Sequence, residues 1–175
     1  MSTQAEAGAP GSVAGGVQIL VHESAACLEF VAPRATDLAW LGASWPAAPG
    51  AVRRAADGRP ELLHVAPGRW LVPEPGAALR ALLDTRVAEG LGAIVDVEGK
   101  WCRLALAGPG AARLLASGTS LAAVLAGRDC ALLRLFDAPV VLARGAAGFE
   151  SWVQASYLVS FRTQLEAVIL RNARG

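Results

Sequence analysis

The amino-acid sequence predicts an α+β fold made of two fused strand–helix halves with mainly antiparallel sheets. Three observations carry that expectation. Short apolar runs alternate with Gly, Asp and Pro turns along most of the chain. Two longer stretches repeat apolar residues at helical spacing: Leu79, Leu82, Leu83 and Val87 in one, Leu158, Phe161, Leu165 and Val168 in the other. Finally, residues 61–83 read strand, Pro-Gly turn, aromatic strand, helix. Residues 140–165 repeat that order with a glycine turn, and Trp152 stands where the first has Trp70.

In chain order, residues 1–16 are Ala, Gly, Ser and polar residues without periodicity. They read as a disordered tail, leaving 17–175 as a single domain. Residues 17–21 and 26–31 read as strands around a Glu23-Ser24 turn, and residues 34–41 as a short helix. Residues 45–50, Trp-Pro-Ala-Ala-Pro-Gly, form an extended loop, because each Pro disfavours the α region in the residue before it. Residues 51–55 and 61–65 are strands across the Asp57-Gly58 turn, and 69–72 follow the Pro67-Gly68 turn. Pro75 suits the first turn of a helix that runs to Glu89 and is ended by Gly90 and Gly92. Residues 93–97 and 101–107 read as a hairpin turning at Glu98-Gly99. It leads into a helix opened by Pro109 and closed by Gly118. Residues 128–136, 140–144 and 149–153 are strands, with turns at Asp137 and 145–148, and Ser156 is placed to cap the last helix.

Composition narrows the function classes. A chain of 175 residues buries roughly 70% of its unfolded surface, so no disulfide or metal staple is required. The net charge is +1, and no basic cluster exceeds Arg53-Arg54, which argues against a nucleic-acid partner. All of the sixteen cations except Lys100 are Arg, a bias that fits a GC-rich genome. Cys27, Cys102 and Cys130 are an odd number at wide spacing beside apolar residues, which favours reduced thiols in a cytoplasmic protein. The longest uncharged run is too short and glycine-rich to span a bilayer, and the N-terminus does not read as a signal peptide.

No motif specifies a reaction. Gly108-x-Gly110 follows a strand and opens a helix, but Arg113 stands where a third small residue would allow close packing, and Pro109 has no N–H for a pyrophosphate. His22 and His64 lack Cys or carboxylate companions at metal-ligand spacing. Ser117, Ser120 and Ser156 lack a nucleophile elbow. Asp96 beside Glu98 reads as a solvated turn rather than an acid–base pair. No catalytic, cofactor-binding or metal residue is therefore assigned. The contact candidates are Trp45, in its proline loop off any periodic face, with Arg53 and Arg54, since Trp and Arg dominate interface hot spots.

Several segments in order resemble the γ subunit of heterotetrameric sarcosine oxidase. Residues 41–53 are similar to that family's Leu-Pro-x-x-Pro loop, and Ala66-Pro67-Gly68-Arg69-Trp70-Leu71-Val72 to its Gly-Pro-x-x-Trp-Leu segment. Val95-Asp96-Val97 through Leu106-Ala107-Gly108-Pro109-Gly110-Ala111-Ala112-Arg113-Leu114-Leu115, and Gly148-Phe149-Glu150-Ser151-Trp152-Val153 before Ser156, complete the match over residues 17–170. The strand–Gly-Pro–helix segment is also similar to the folate-binding domain of aminomethyltransferases. After Gly118 the family's Cys-Pro-Leu-Asp is replaced by Thr119-Ser120-Leu121-Ala122. The resemblance implies a small non-catalytic subunit of a cytoplasmic complex that oxidatively demethylates N-methyl amino acids or amines. It implies a fold like the aminomethyltransferase folate-binding domain. FAD, FMN, NAD and tetrahydrofolate would lie in larger flavoprotein and dinucleotide-binding partner subunits. Two alternatives stay open: a free-standing folate-binding protein, for which Asp96 is the strand-end carboxylate to hold the pterin, and a non-enzymatic scaffold.

Overall fold

The structure, a computed structural model, describes residues 13–14, 16–22, 26–32, 46 and 48–172. Its strands are β1 (Val13–Ala14), β2 (Val17–His22), β3 (Cys27–Val31), β4 (Val52–Arg54), β5 (Pro60–Ala66), β6 (Arg69–Pro73), β7 (Ala93–Asp96), β8 (Trp101–Ala107), β9 (Cys130–Leu135), β10 (Ala138–Arg144) and β11 (Gly148–Gln154). The helices are α1 (Ala77–Ala88), α2 (Ala111–Ala116), α3 (Leu121–Val124) and α4 (Leu158–Asn172), the last entered through a 3-10 turn at Ala155–Tyr157. The strands pair antiparallel in two sheets, ordered β1-β2-β8-β11-β10-β9 and β4-β5-β6-β3-β7.

Because side chains alternate along a strand, each sheet has two apolar faces and buries both. Leu28, Phe30, Leu62, Trp70 and Val72 pack with Leu79 and Leu83 of α1. Leu104, Leu106, Val140, Leu142 and Val153 of the other sheet pack with Leu114 and Leu115 of α2 and with Phe161, Leu165 and Val168 of α4. The alternate residues meet between the sheets: Cys27, Leu63 and Leu71 from one, Trp101, Cys130, Val141, Ala143 and Trp152 from the other. The result is an α–β–β–α sandwich. Burying one large apolar side chain is worth roughly 1.5–3 kcal/mol, so the Phe161, Leu165, Val168 and Ile169 face holds α4 in place. The exposed Arg162–Glu166 pair, at 3.8 Å, adds little beside it.

The echo expected from the sequence is present. The run β3 to β6 with α1, and the run β8 to β11 with α4, follow the same path, the last strand of each returning to pair with the first. Their outer neighbours are exchanged. β7, which leads into the second half, pairs with β3 of the first, whereas β8 takes as its neighbour β2, which precedes the first half.

That exchange corrects two expectations. Residues 93–107 are not a hairpin: β7 and β8 belong to different sheets, and the Glu98-Gly99 turn carries the chain across the sandwich. The strands at 17–31 cross likewise. Trp70 and Trp152 are not equivalent either, since Trp70 faces α1 and Trp152 faces the opposite sheet. Four boundaries also move. Val13–Ala14 pair with Gln18 and Val17, so the expected tail overlaps a hairpin. Pro75 and Pro109 precede their helices, whose N-caps are Gly76 and Gly110. Ser156 lies in the 3-10 turn with no side-chain cap. The short helix α3 was not expected. The helix expected at 34–41 and Trp45 lie outside the described residues, as do residues 1–12. The β9–β10 turn falls at Phe136-Asp137, both with positive φ (48° and 61°), as a two-residue hairpin turn requires. Arg134 steadies it by donating Nη2 to the Asp137 carbonyl at 2.6 Å.

Candidate functional site

Among the described residues, two recesses border the space between the sheets, and each is lined by a tryptophan from that core. The first is a cleft of about 110 Å³ lined by Arg59, Pro60, Glu74, Arg103, Glu150 and Trp152 among others. Arg103 and Glu150, on neighbouring strands of one sheet, are bonded at 2.7 Å with little exposure. Glu74 reaches across from the end of β6 to bridge Arg103 at 3.3 Å and Arg59 at 3.2 Å. Its φ of 46° is a strained conformation for a non-glycine residue. Every charge in this network has an opposite partner, so the cleft is a clasp between the sheets.

The second opening is a broader groove of about 380 Å³ lined by Arg69, Lys100, Trp101, Leu132, Arg134 and Pro139 among others. At its edge lies Glu29, the buried carboxylate among the described residues. Alternation along β3 turns Glu29 to the inter-sheet side with Cys27. Arg69 Nη2 and Lys100 Nζ each donate to it at 2.6 Å. Burial pushes this carboxyl up, but the hydrogen bonds from Lys100 and Arg69 outweigh it and hold the group below the ordinary carboxylate range. The Lys100 ammonium also lies 5.4 Å from the Trp101 ring centroid. Glu29, Arg69 and Lys100 come from three separate segments. Nothing in their local sequence signals the cluster, and the single lysine among sixteen cations was the only available hint.

The contact candidates fare differently. Arg53 pairs with Glu61 at 3.2 Å. Arg54 donates to the Gly58 carbonyl and, at 2.8 Å, to the Arg144 carbonyl, so it ties the two sheets together. Both guanidiniums thus have partners within the chain, and the structure does not bring them to a common site. Asp96 is exposed and accepts the Glu98 N–H at 2.9 Å, which makes it a turn residue and not a buried pterin partner. His64 is buried and stacks on Trp70 at 4.5 Å, inside the core under α1. No group of three or more His, Cys, Asp or Glu among the described residues could hold a metal ion.

Gly108-Pro109-Gly110 has a structural task. A Cβ on Gly108 would fall 2.3 Å from the Gly16 carbonyl oxygen, and the Gly110 N–H bonds that same oxygen at 3.3 Å. Ala111 N–H turns back to Gly108. The Gly110 amide serves the β2 entry and the Ala111 amide closes the loop's own turn, so the loop does not fit a dinucleotide pyrophosphate. The thiols are also unsuited to chemistry: burial pushes Cys27 and Cys130 up to about 12. No helix among the described residues is long and apolar enough to cross a membrane.

The fold is a double-sheet α+β domain shared with solved structures of two other proteins. Heterotetrameric sarcosine oxidase from Corynebacterium sp. U-96, solved in complex with pyrrole 2-carboxylate, superposes with a TM-score of 0.72 at 22% identity, over 94% of this chain and 89% of that one. The glycine cleavage system aminomethyltransferase T from Bartonella henselae superposes with a TM-score of 0.56 at 16% identity, over 86% of this chain. This chain spans only 45% of the transferase's length. No protein-family model and no curated protein sequence matches the chain.

Proposed function

We propose that this chain is a small non-catalytic subunit of a cytoplasmic, heteromeric sarcosine oxidase-like complex that oxidatively demethylates N-methyl amino acids or amines. FAD, FMN, NAD and tetrahydrofolate would be held by its larger partners. The observation that carries this reading is the better superposition on the heterotetrameric oxidase, with a TM-score of 0.72 over 94% of this chain against 0.56 over 86% for the transferase. The exposed position of Asp96 weighs against the free-standing folate-binding alternative.

The chain's own residues supply a rigid body rather than a reaction. Arg54, Arg103 and Glu74 clamp the sheets, and the thiols are withdrawn from solvent. Co-expression with the subunits of neighbouring genes tests the reading. A yellow complex that turns over sarcosine is expected, with the isolated chain colourless and inactive. Trp45→Ala should weaken association by about 2 kcal/mol, roughly thirtyfold, if that loop is a hot spot. Flavin binding or turnover by the isolated chain would overturn the proposal, as would failure of the wild-type chain to form any complex.

A further inference from the structure

The groove over Trp101 has properties that the subunit role does not require. Its volume, about 380 Å³, lies in the range of small-molecule sites, roughly 300–1,000 Å³. Its charge is unbalanced. Arg69, Lys100 and Arg134 line it, and the carboxylate at its edge, Glu29, takes one donor each from Arg69 and Lys100. Arg134 bonds a backbone carbonyl. An ammonium has three N–H donors and a guanidinium five, so the groove keeps donors and positive charge to spare.

Its floor is apolar and partly uncovered. Leu132, on the edge strand β9, is 47% exposed, and Pro139 lies beside it in the lining. Trp101 is only 5% exposed, yet its indole N–H has no hydrogen-bond partner among the described residues. Buried donors in folded proteins are nearly always paired, so the Trp101 indole, in the wall of this cationic groove, is a sensitive reporter of anything that enters it, although its Nε1 has no exposed surface of its own.

We propose that this groove binds a small organic anion: a carboxylate carried on an apolar body. The carboxylate meets Lys100 and Arg134, while the apolar body covers Leu132 and Pro139 beside the Trp101 wall. A compact inorganic anion would use the charges but leave the apolar floor bare. The inference holds whether or not the chain works inside a complex.

The test uses the full-length chain labelled with nitrogen-15, the Trp101 indole resonance being assigned with Trp101→Phe. Benzoate and inorganic phosphate are the probes. Benzoate should shift the Trp101 indole signal saturably and slow chemical modification of Lys100, the chain's single lysine. Arg134→Gln, an exposed change that leaves the core untouched, should weaken benzoate about fivefold. An indole signal that does not move would overturn the proposal. So would a response that rises linearly without saturating, as a face awaiting a partner's side chains would give. Equal shifts with phosphate, or unchanged affinity in Arg134→Gln, would also refute it.

Discussion

Replacing Glu29 with Gln tests the charge cluster at the groove most directly. The variant keeps the shape but loses two charge-assisted hydrogen bonds of 2.6 Å. Each is worth roughly 1.5–3 kcal/mol when well shielded. The Arg69 and Lys100 side chains are 47% and 41% exposed, so solvent screens a large share, and a net loss of about 2 kcal/mol is expected. For a chain of this size that lowers the melting temperature by about 4–8 °C at neutral pH. The pH dependence has a definite sign. Arg69 and Lys100 hold the folded carboxyl below its ordinary value of 4.5, so its contribution is complete above that value and fades as pH falls through the folded one. Glutamine does not titrate, so the gap between wild type and variant should close on acidification. Thermal melts from neutral to acid pH read this out. A gap below about 1 °C at neutral pH, or one that persists undiminished in acid, would refute the reasoning. The same variant leaves Lys100 and Arg69 unopposed, so benzoate should bind it more tightly than wild type.

Two further outcomes are expected. Cys27, Cys102 and Cys130 are all buried, and burial raises Cys27 and Cys130 to about 12, so a thiol-disulfide reagent at neutral pH should react slowly with the native chain and fully after denaturation. Prompt native reaction would contradict the packing. Deleting residues 1–16 removes β1 and the Gly16 carbonyl that accepts the Gly110 N–H, so the melting temperature should fall by a few degrees, roughly 1 kcal/mol of stability. An unchanged melt would show that this pairing contributes nothing.

Most strands were legible as short apolar runs between turn residues, and residues 102–107 also alternate buried and half-buried positions as the pattern demands. The same local signal misled at Glu98-Gly99. Turn chemistry fixes that the chain reverses, but two strands flanking a turn pair only if both lie in one sheet, and that depends on distant partners. Trp70 and Trp152 show a related limit, for each sits in an apolar run and both faces of each sheet are buried. Composition could not say which core either one enters. The groove was less visible still. Glu29, Arg69 and Lys100 meet only after three segments assemble, whereas Gly108-Pro109-Gly110 is conspicuous in sequence and proves to serve backbone packing.

The exchange of outer strands also governs how the chain must be made. As it leaves the ribosome, the first sheet can close once β7 reaches β3, with all its strands from one continuous stretch. β2 emerges earlier yet has to wait for β8, since His22 pairs with Arg103 and Gln18 with Ala107. Through that interval a strand carrying Val17 and Ile19 has an unsatisfied edge. Such long-range pairing slows folding and leaves nascent strands open to wrong partners. The vulnerable moment in this chain's life therefore falls midway through its synthesis, with one sheet complete and β2 still without its β8 partner.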